Sequence, residues 1–163
     1  MERIVEELIR QGKTIATMES CTGGGVANAI TNIPGASEIL RFSAVTYSNE
    51  YKVVMGINPK TIEDYTVYSP EVAREMAYHI SDIAKSDYGV GITGKLSRQD
   101  INNPFGEDNR VFVCIYDKAN DLYHEFDLYV DKEDRADNKA DVIARIEEEM
   151  AKVLGLPTVT MRP

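Results

Sequence analysis

Three consecutive glycines, Gly23-Gly24-Gly25, stand between a short apolar run and an amphipathic one, and no other feature restricts the fold of this chain so much. Thr14-Ile15-Ala16-Thr17-Met18 has the length and character of a buried strand. Val26, Ala29, Ile30 and Ile33 recur on one helical face, which Asn-Ile-Pro-Gly at 32–35 closes. A strand that passes into a helix through Glu19-Ser20-Cys21-Thr22 and three glycines implies an α/β architecture. Ser20 then sits where the strand ends, and the following amides point outward as donors for an anion or an oxyanion. Two readings of this turn stay open. Ser20 is a reactive hydroxyl, or Ser20 or Thr22 is an ordinary helix cap and the glycines serve close helix–strand packing.

The rest of the chain alternates in the same manner. Ile4, Val5, Leu8 and Ile9 predict a helix over 2–11 that stops at Gly12. Residues 42–48 read as a second strand, followed by a helical turn at 50–55. Ser69-Pro70-Glu71 combines a hydroxyl cap, a proline at the first helical position and an acid in the first turn. Val72, Met76, Ile80 and Ile83 continue it as one apolar stripe. Residues 88–94 form a third strand, with glycines where backbone or ligand must come close. The segment 95–109 reads as a loop of about fifteen residues, a length that in compact domains tends to be functional or mobile. Residues 111–116 and 122–130 form a hairpin, and a last helix spans 134–154. Alternation followed by a hairpin predicts a single three-layer α/β/α domain over 1–163 with a mixed sheet. Its ligand site belongs beyond the carboxyl ends of the strands, where both Ser20 and Thr93 lie.

Charge narrows the partner. Against 27 Asp and Glu the 163 residues carry 18 Lys and Arg, a net charge of -9, which opposes binding to a nucleic-acid backbone. No apolar run approaches the roughly 18 residues of a membrane span. The first twelve residues alternate charge with aliphatics and lack a signal-peptide core. Cys21 and Cys114 are too few for a disulfide scaffold or a metal knuckle, so a reducing cytoplasm is expected. With only His79 and His124, a histidine-based metal site is not expected.

A second element bears on Ser20. Tyr47-Ser48-Asn49-Glu50-Tyr51-Lys52 ends the second strand and begins the next turn. A serine hydroxyl is a weak nucleophile that needs a group to take its proton, and a desolvated lysine with a neighbouring tyrosine is such a group. Equally, Tyr47 packs on the sheet and Lys52 is a solvated helix residue.

The series Met18-Glu19-Ser20-Cys21-Thr22-Gly23-Gly24, then Ile33-Pro34-Gly35-Ala36-Ser37, then Val45-Thr46-Tyr47-Ser48-Asn49-Glu50 with Lys52 closely resembles the CinA carboxy-terminal domain family. Gly56-Ile57, Thr61-Ile62, Ser69-Pro70-Glu71-Val72-Ala73 and Ile92-Thr93-Gly94 extend the resemblance over nearly the whole chain. The family is also known as nicotinamide-nucleotide amidases. The resemblance implies hydrolysis of the carboxamide of nicotinamide mononucleotide to the nicotinate nucleotide and ammonia, with no cofactor and no metal. It puts the nucleophile on Ser20 and its partners on Tyr47 and Lys52. It also implies substrate contacts at Cys21, Thr22, Gly23, Gly24, Asn49, Thr93, Gly94 and Arg135, with a pyridine nucleotide as partner and a homo-oligomeric state. Tyr65, Val67 and Tyr68 are candidates for a contact between copies, or fold back on the core. Cys21 as a thiol activated by the helix terminus is the competing nucleophile.

One segment departs from the family. The usual glycine- and proline-rich loop after the third strand is replaced by residues 95–106, of which only Gly94, just before it, aligns firmly and Asn103-Pro104-Phe105-Gly106 is a remnant. Arg98 or Lys95 then supplies phosphate contacts by side chain, or the loop is merely polar and exposed. The family's Gly-Asp-Arg appears as Glu133-Asp134-Arg135, with Lys139 where a second arginine is usual. The alternative to an active amidase is therefore a catalytically silent nucleotide-binding or protein-interaction module on the same fold.

Overall fold

Ile15 and Ala16 are adjacent in sequence yet enter different cores, because successive side chains of a strand point to opposite faces of its sheet. The structure, a computed structural model, describes residues 1–97 and 101–157. Its elements in chain order are α1 (Glu2–Gln11), β1 (Ile15–Glu19), α2 (Gly25–Thr31), a 3₁₀ turn (Ala36–Glu38), β2 (Ala44–Val45), α3 (Asn49–Val54), α4 (Pro59–Tyr65), α5 (Pro70–Ala84), β3 (Tyr88–Gly94), β4 (Arg110–Asp117), β5 (Leu122–Tyr129) and α6 (Arg135–Val153). The strands form one sheet in the order β2-β1-β3-β4-β5. β1 runs parallel to β2 and β3, whereas β3–β4 and β4–β5 are antiparallel. The sheet is mixed, with helices on both faces.

On one face Ile15, Val90, Ile92, Val113 and Ile115 pack against Leu8 of α1, Ile30 of α2 and Val142 and Ile146 of α6. On the other, Ala16 and Met18 meet Val72, Met76 and Ile80 of α5, and Cys114 and Tyr116 meet its Ala73 and Ala77. The glycines of β3 explain how closely α5 can lie. A β-carbon on Gly89 or Gly91 would fall 2.1 Å from the Ala77 carbonyl oxygen or 2.3 Å from that of Ala73. The close approach anticipated for this strand is thus of helix backbone, not of ligand.

Two elements differ from the sequence expectation. The second strand shrinks from 42–48 to two residues, because the Ser43 hydroxyl accepts the Thr17 N–H at 3.0 Å. A side chain there stands in for the ladder, which is confined to Met18 opposite Ala44 and Glu19 opposite Val45, with the Thr46 N–H donating to the Glu19 carbonyl at 2.8 Å just beyond. α4 was not anticipated, although Asn58 caps it by accepting the Lys60 N–H and Pro59 occupies its first turn. Of the residues read as a contact between copies or as folding back on the core, Val67 is buried in the α5 core, while Tyr65 is exposed. Among the described residues no helix is long and apolar enough to cross a membrane.

Candidate active site

β1 and β3 are parallel neighbours, with Glu19 opposite Ile92, so both chains leave the sheet at the same edge. There the glycine-rich turn is organised by a residue that sequence reasoning quoted but gave no role. Glu19 is fully buried, and its carboxylate accepts four hydrogen bonds. Oε1 receives the Thr22 hydroxyl at 2.7 Å and the Val26 N–H at 2.9 Å. Oε2 receives the Thr17 hydroxyl and the Ala27 N–H, each at 2.9 Å. α2 has Gly24 at its cap position, at φ 92, and no side-chain cap of its own. Glu19 caps the helix from the preceding strand, where its charge also meets the positive end of the helix.

The Val26 and Ala27 amides at the helix start are spent on Glu19. Gly23 and Gly25 are spent too, donating to the carbonyls of Ser20 and Thr22 at 2.9 and 3.0 Å. Among the described residues, the N–H groups of Cys21, Thr22 and Gly24 have no acceptor. The Thr22 side chain faces inward to Glu19 and is 1% exposed.

Ser20 sits at the mouth of this turn, 6% exposed, with its N–H held by the Ile92 carbonyl at 3.1 Å. Its hydroxyl is met by Lys52 from α3, whose Nζ donates to Oγ at 3.0 Å and to the Thr46 carbonyl at 2.6 Å. Lys52 is 2% exposed, so its expected reading as a solvated helix residue is set aside. It reaches inward because Ser48 caps α3 and accepts the Tyr51 N–H, which turns this short helix at the edge of the sheet.

The remaining predicted residues divide. Tyr47, Gly94 and Arg135 line one cleft of about 740 Å³ with Ser20 and Cys21. Arg135, the first residue of α6, donates to the Ser97 hydroxyl at 2.9 Å and to the Tyr47 hydroxyl at 3.4 Å. Tyr47 is exposed, and its hydroxyl accepts the Arg135 bond. Thr93 is buried, donating to the Val67 carbonyl at 2.9 Å, and is not among the described residues that line the cleft. Asn49 donates to the Asn103 side chain at 2.8 Å and ties the long loop to α3. Lys139 comes within 3.3 Å of where a Gly23 β-carbon would stand. Arg98 lies outside the described residues.

Burial of Cys21 opposes its reading as an activated thiol. Burial pushes it up from 9.0 to about 12, and the nearby Lys52 only partly opposes this. Sequence reasoning missed Tyr51, Tyr68, Leu96 and Asn102 as cleft residues. Only Tyr51, inside the Tyr47–Lys52 block, carried a local signal. Among the described residues no group of three or more His, Cys, Asp or Glu is placed to hold a metal.

Fold and site together define a mixed α/β domain with a buried serine–lysine pair at the carboxyl edge of its parallel strands. The chain belongs to the CinA family: the model of the CinA C-terminal domain matches residues 1–152. It is 48% identical over 96 residues to a putative competence-damage inducible protein of Caldanaerobacter subterraneus subsp. tengcongensis, and 45% identical over 96 residues to a CinA-like protein of Desulforapulum autotrophicum. Each match covers 58% of this chain but only 23% of the relative. The fold is shared with a competence-damaged protein (CinA) superfamily protein from Klebsiella pneumoniae, with TM-score 0.84, 22% identity and 94% of both chains covered. It is shared as well with a competence/damage inducible protein from Agrobacterium tumefaciens, with TM-score 0.81, 25% identity and coverage of 94% of this chain and 92% of that one.

Proposed function

We propose that this chain is an amidohydrolase acting on the carboxamide of nicotinamide mononucleotide, with the nicotinate nucleotide and ammonia as products. The observation that carries the reading is the buried 3.0 Å contact between Lys52 Nζ and Ser20 Oγ. It is the pairing an acyl-transfer serine needs, a nucleophile within hydrogen-bond reach of its base. The Thr46 carbonyl fixes the amine from its far side.

Ser20 Oγ attacks the amide carbon as Lys52, acting as a neutral amine, takes its proton. Negative charge gathers on the carbonyl oxygen, and unpaired N–H groups of the turn, at Cys21 and Gly24, are its donors. The intermediate collapses with cleavage of the C–N bond, and Lys52 returns the proton to departing ammonia. Water, deprotonated by the same amine, then hydrolyses the acyl-serine and frees both the carboxylate and Ser20. Tyr47 and Arg135, bonded to each other, form a wall of the cleft and orient the nucleotide.

Ammonia release from nicotinamide mononucleotide by purified protein tests the reading. Turnover by the wild type and its loss in Ser20→Ala are expected. A wild-type protein that binds the nucleotide without releasing ammonia is the silent module instead, which the replaced loop after β3 favours.

A further inference from the structure

Lys95 directly follows β3 and is 3% exposed. Its backbone is pinned, since its N–H donates to the Arg110 carbonyl at 3.1 Å. Lys95 is one of the residues lining the cleft that Ser20 opens into. Among the described residues its ammonium has no hydrogen-bond partner, although such a group carries three donors. The ring of Tyr68 lies beside it, its centroid 4.9 Å from Nζ. A ring face attracts a cation but accepts none of those three bonds as an oxygen does. Burying a charge without oxygen acceptors is costly, and a fold keeps such a group where a ligand completes it.

The surroundings specify the sign and kind of that ligand. The described residues lining the cleft include two cations, Lys95 and Arg135, and no carboxylate. That distribution is notable in a chain whose acids outnumber its bases by nine. Arg135 lines the same cleft, where Ser97 and Tyr47 hold its guanidinium. Lys95 at the end of β3 and Ser20 at the end of β1 stand on neighbouring parallel strands. An anion at Lys95 therefore occupies the cleft together with whatever group meets Ser20.

We propose that Lys95 holds a phosphate monoester, with Arg135 as its second cation, and so selects phosphorylated over unphosphorylated ligands. The nucleotide to which that phosphate belongs rests on the amidase reading; the anion site itself rests on the cleft alone. In this chain a side chain thus does at the end of β3 what backbone amides of a glycine-rich loop do elsewhere.

The test is calorimetric titration of wild type and Lys95→Met with ribose 5-phosphate, ribose and inorganic phosphate, in protein whose melting temperature has been recorded. Lys95→Met keeps the stem and removes an uncompensated buried charge, so it is expected to melt at or above the wild-type temperature. Ribose 5-phosphate is expected to bind the wild type, ribose not to bind, and Lys95→Met to weaken the ester about 10- to 100-fold. Lys95→Arg is expected to restore part of that loss. Ammonia release is expected to show a narrowed preference for nicotinamide mononucleotide over its riboside. Ester binding unchanged in Lys95→Met overturns the proposal, as does ribose binding as tightly as its phosphate. Inorganic phosphate binding as tightly as the ester overturns the assignment to a monoester. Absence of ammonia release with Lys95-dependent ester binding intact removes the amidase reading and leaves this one standing.

Discussion

Lys52 and Ser20 are 32 residues apart in the chain, and the buried amine of one lies 3.0 Å from the hydroxyl oxygen of the other. The first is brought in by α3 and the second by the end of β1. The Thr46 carbonyl, 2.6 Å from the same amine, belongs to the segment that joins β2 to α3, so backbone and base are delivered together.

If that pair acts as a unit, its removal is not additive. Ser20→Ala and Lys52→Met are each expected to lower kcat for ammonia release by on the order of 10³-fold or more, and the double variant by no more than the worse single one. Steady-state kinetics on all three proteins, with circular dichroism to verify folding, measure this. A Lys52→Met enzyme within tenfold of wild type excludes Lys52 as the base.

Glu19 is a structural requirement of the turn, not a reacting group. Glu19→Ala strands two hydroxyls and two helix amides in a buried space and is expected to cost about 3–5 kcal/mol in urea unfolding. Glu19→Gln keeps one acceptor oxygen and is expected to cost less. A loss below about 1 kcal/mol for the alanine variant contradicts the capping role.

The floor beneath α5 makes a comparison between two glycines informative. An alanine at Gly91 meets the Ala73 carbonyl at 2.3 Å and the Ala77 nitrogen at 2.6 Å, so the helix must lift, at about 3 kcal/mol. An alanine at Gly12, at φ 66 with nothing within 4 Å, pays only the left-handed backbone, about 1 kcal/mol. Thermal or urea melts of the two variants give the ratio directly, and equal losses refute the packing explanation.

Both thiols predict sensitivity to alkali. Burial pushes Cys21 and Cys114 from 9.0 to about 12. The folded chain therefore holds these protons more tightly than the unfolded chain, and their contribution is complete below about pH 9 and lost as pH rises toward 12. Stability measured by urea unfolding is expected to fall across that window, and less steeply in Cys114→Ala. Neither thiol is expected to react with Ellman's reagent at pH 8 until the protein is unfolded; rapid labelling of native Cys21 contradicts its burial.

Part of this architecture was legible in the residues because it is local. The stripes of α1, α5 and α6, the Ser69-Pro70 start and the hairpin of β4 and β5 follow from periodicity and capping, which involve residues a few positions apart. The block from Ser20 through Lys52 was legible as a motif. Its geometry was not, since nothing near position 52 announces that its amine turns inward. β2 was overestimated for a related reason: its length depends on the Ser43 hydroxyl meeting the Thr17 amide across the sheet.

By itself the sequence determined an α/β chain with a strand-to-helix turn at Ser20, because a short apolar run, three glycines and a helical stripe leave few other conformations. It also determined a net charge of -9, which opposes a nucleic-acid partner. Only the tertiary structure decided how the glycines of β3 are used, which amides of the turn remain open once Glu19 has taken its share, and which cations face the cleft. Each of these depends on burial and on partners distant in the chain. The charge total could say that cations are scarce; the fold sets Lys95 and Arg135 on the cleft and Lys52 against its Ser20.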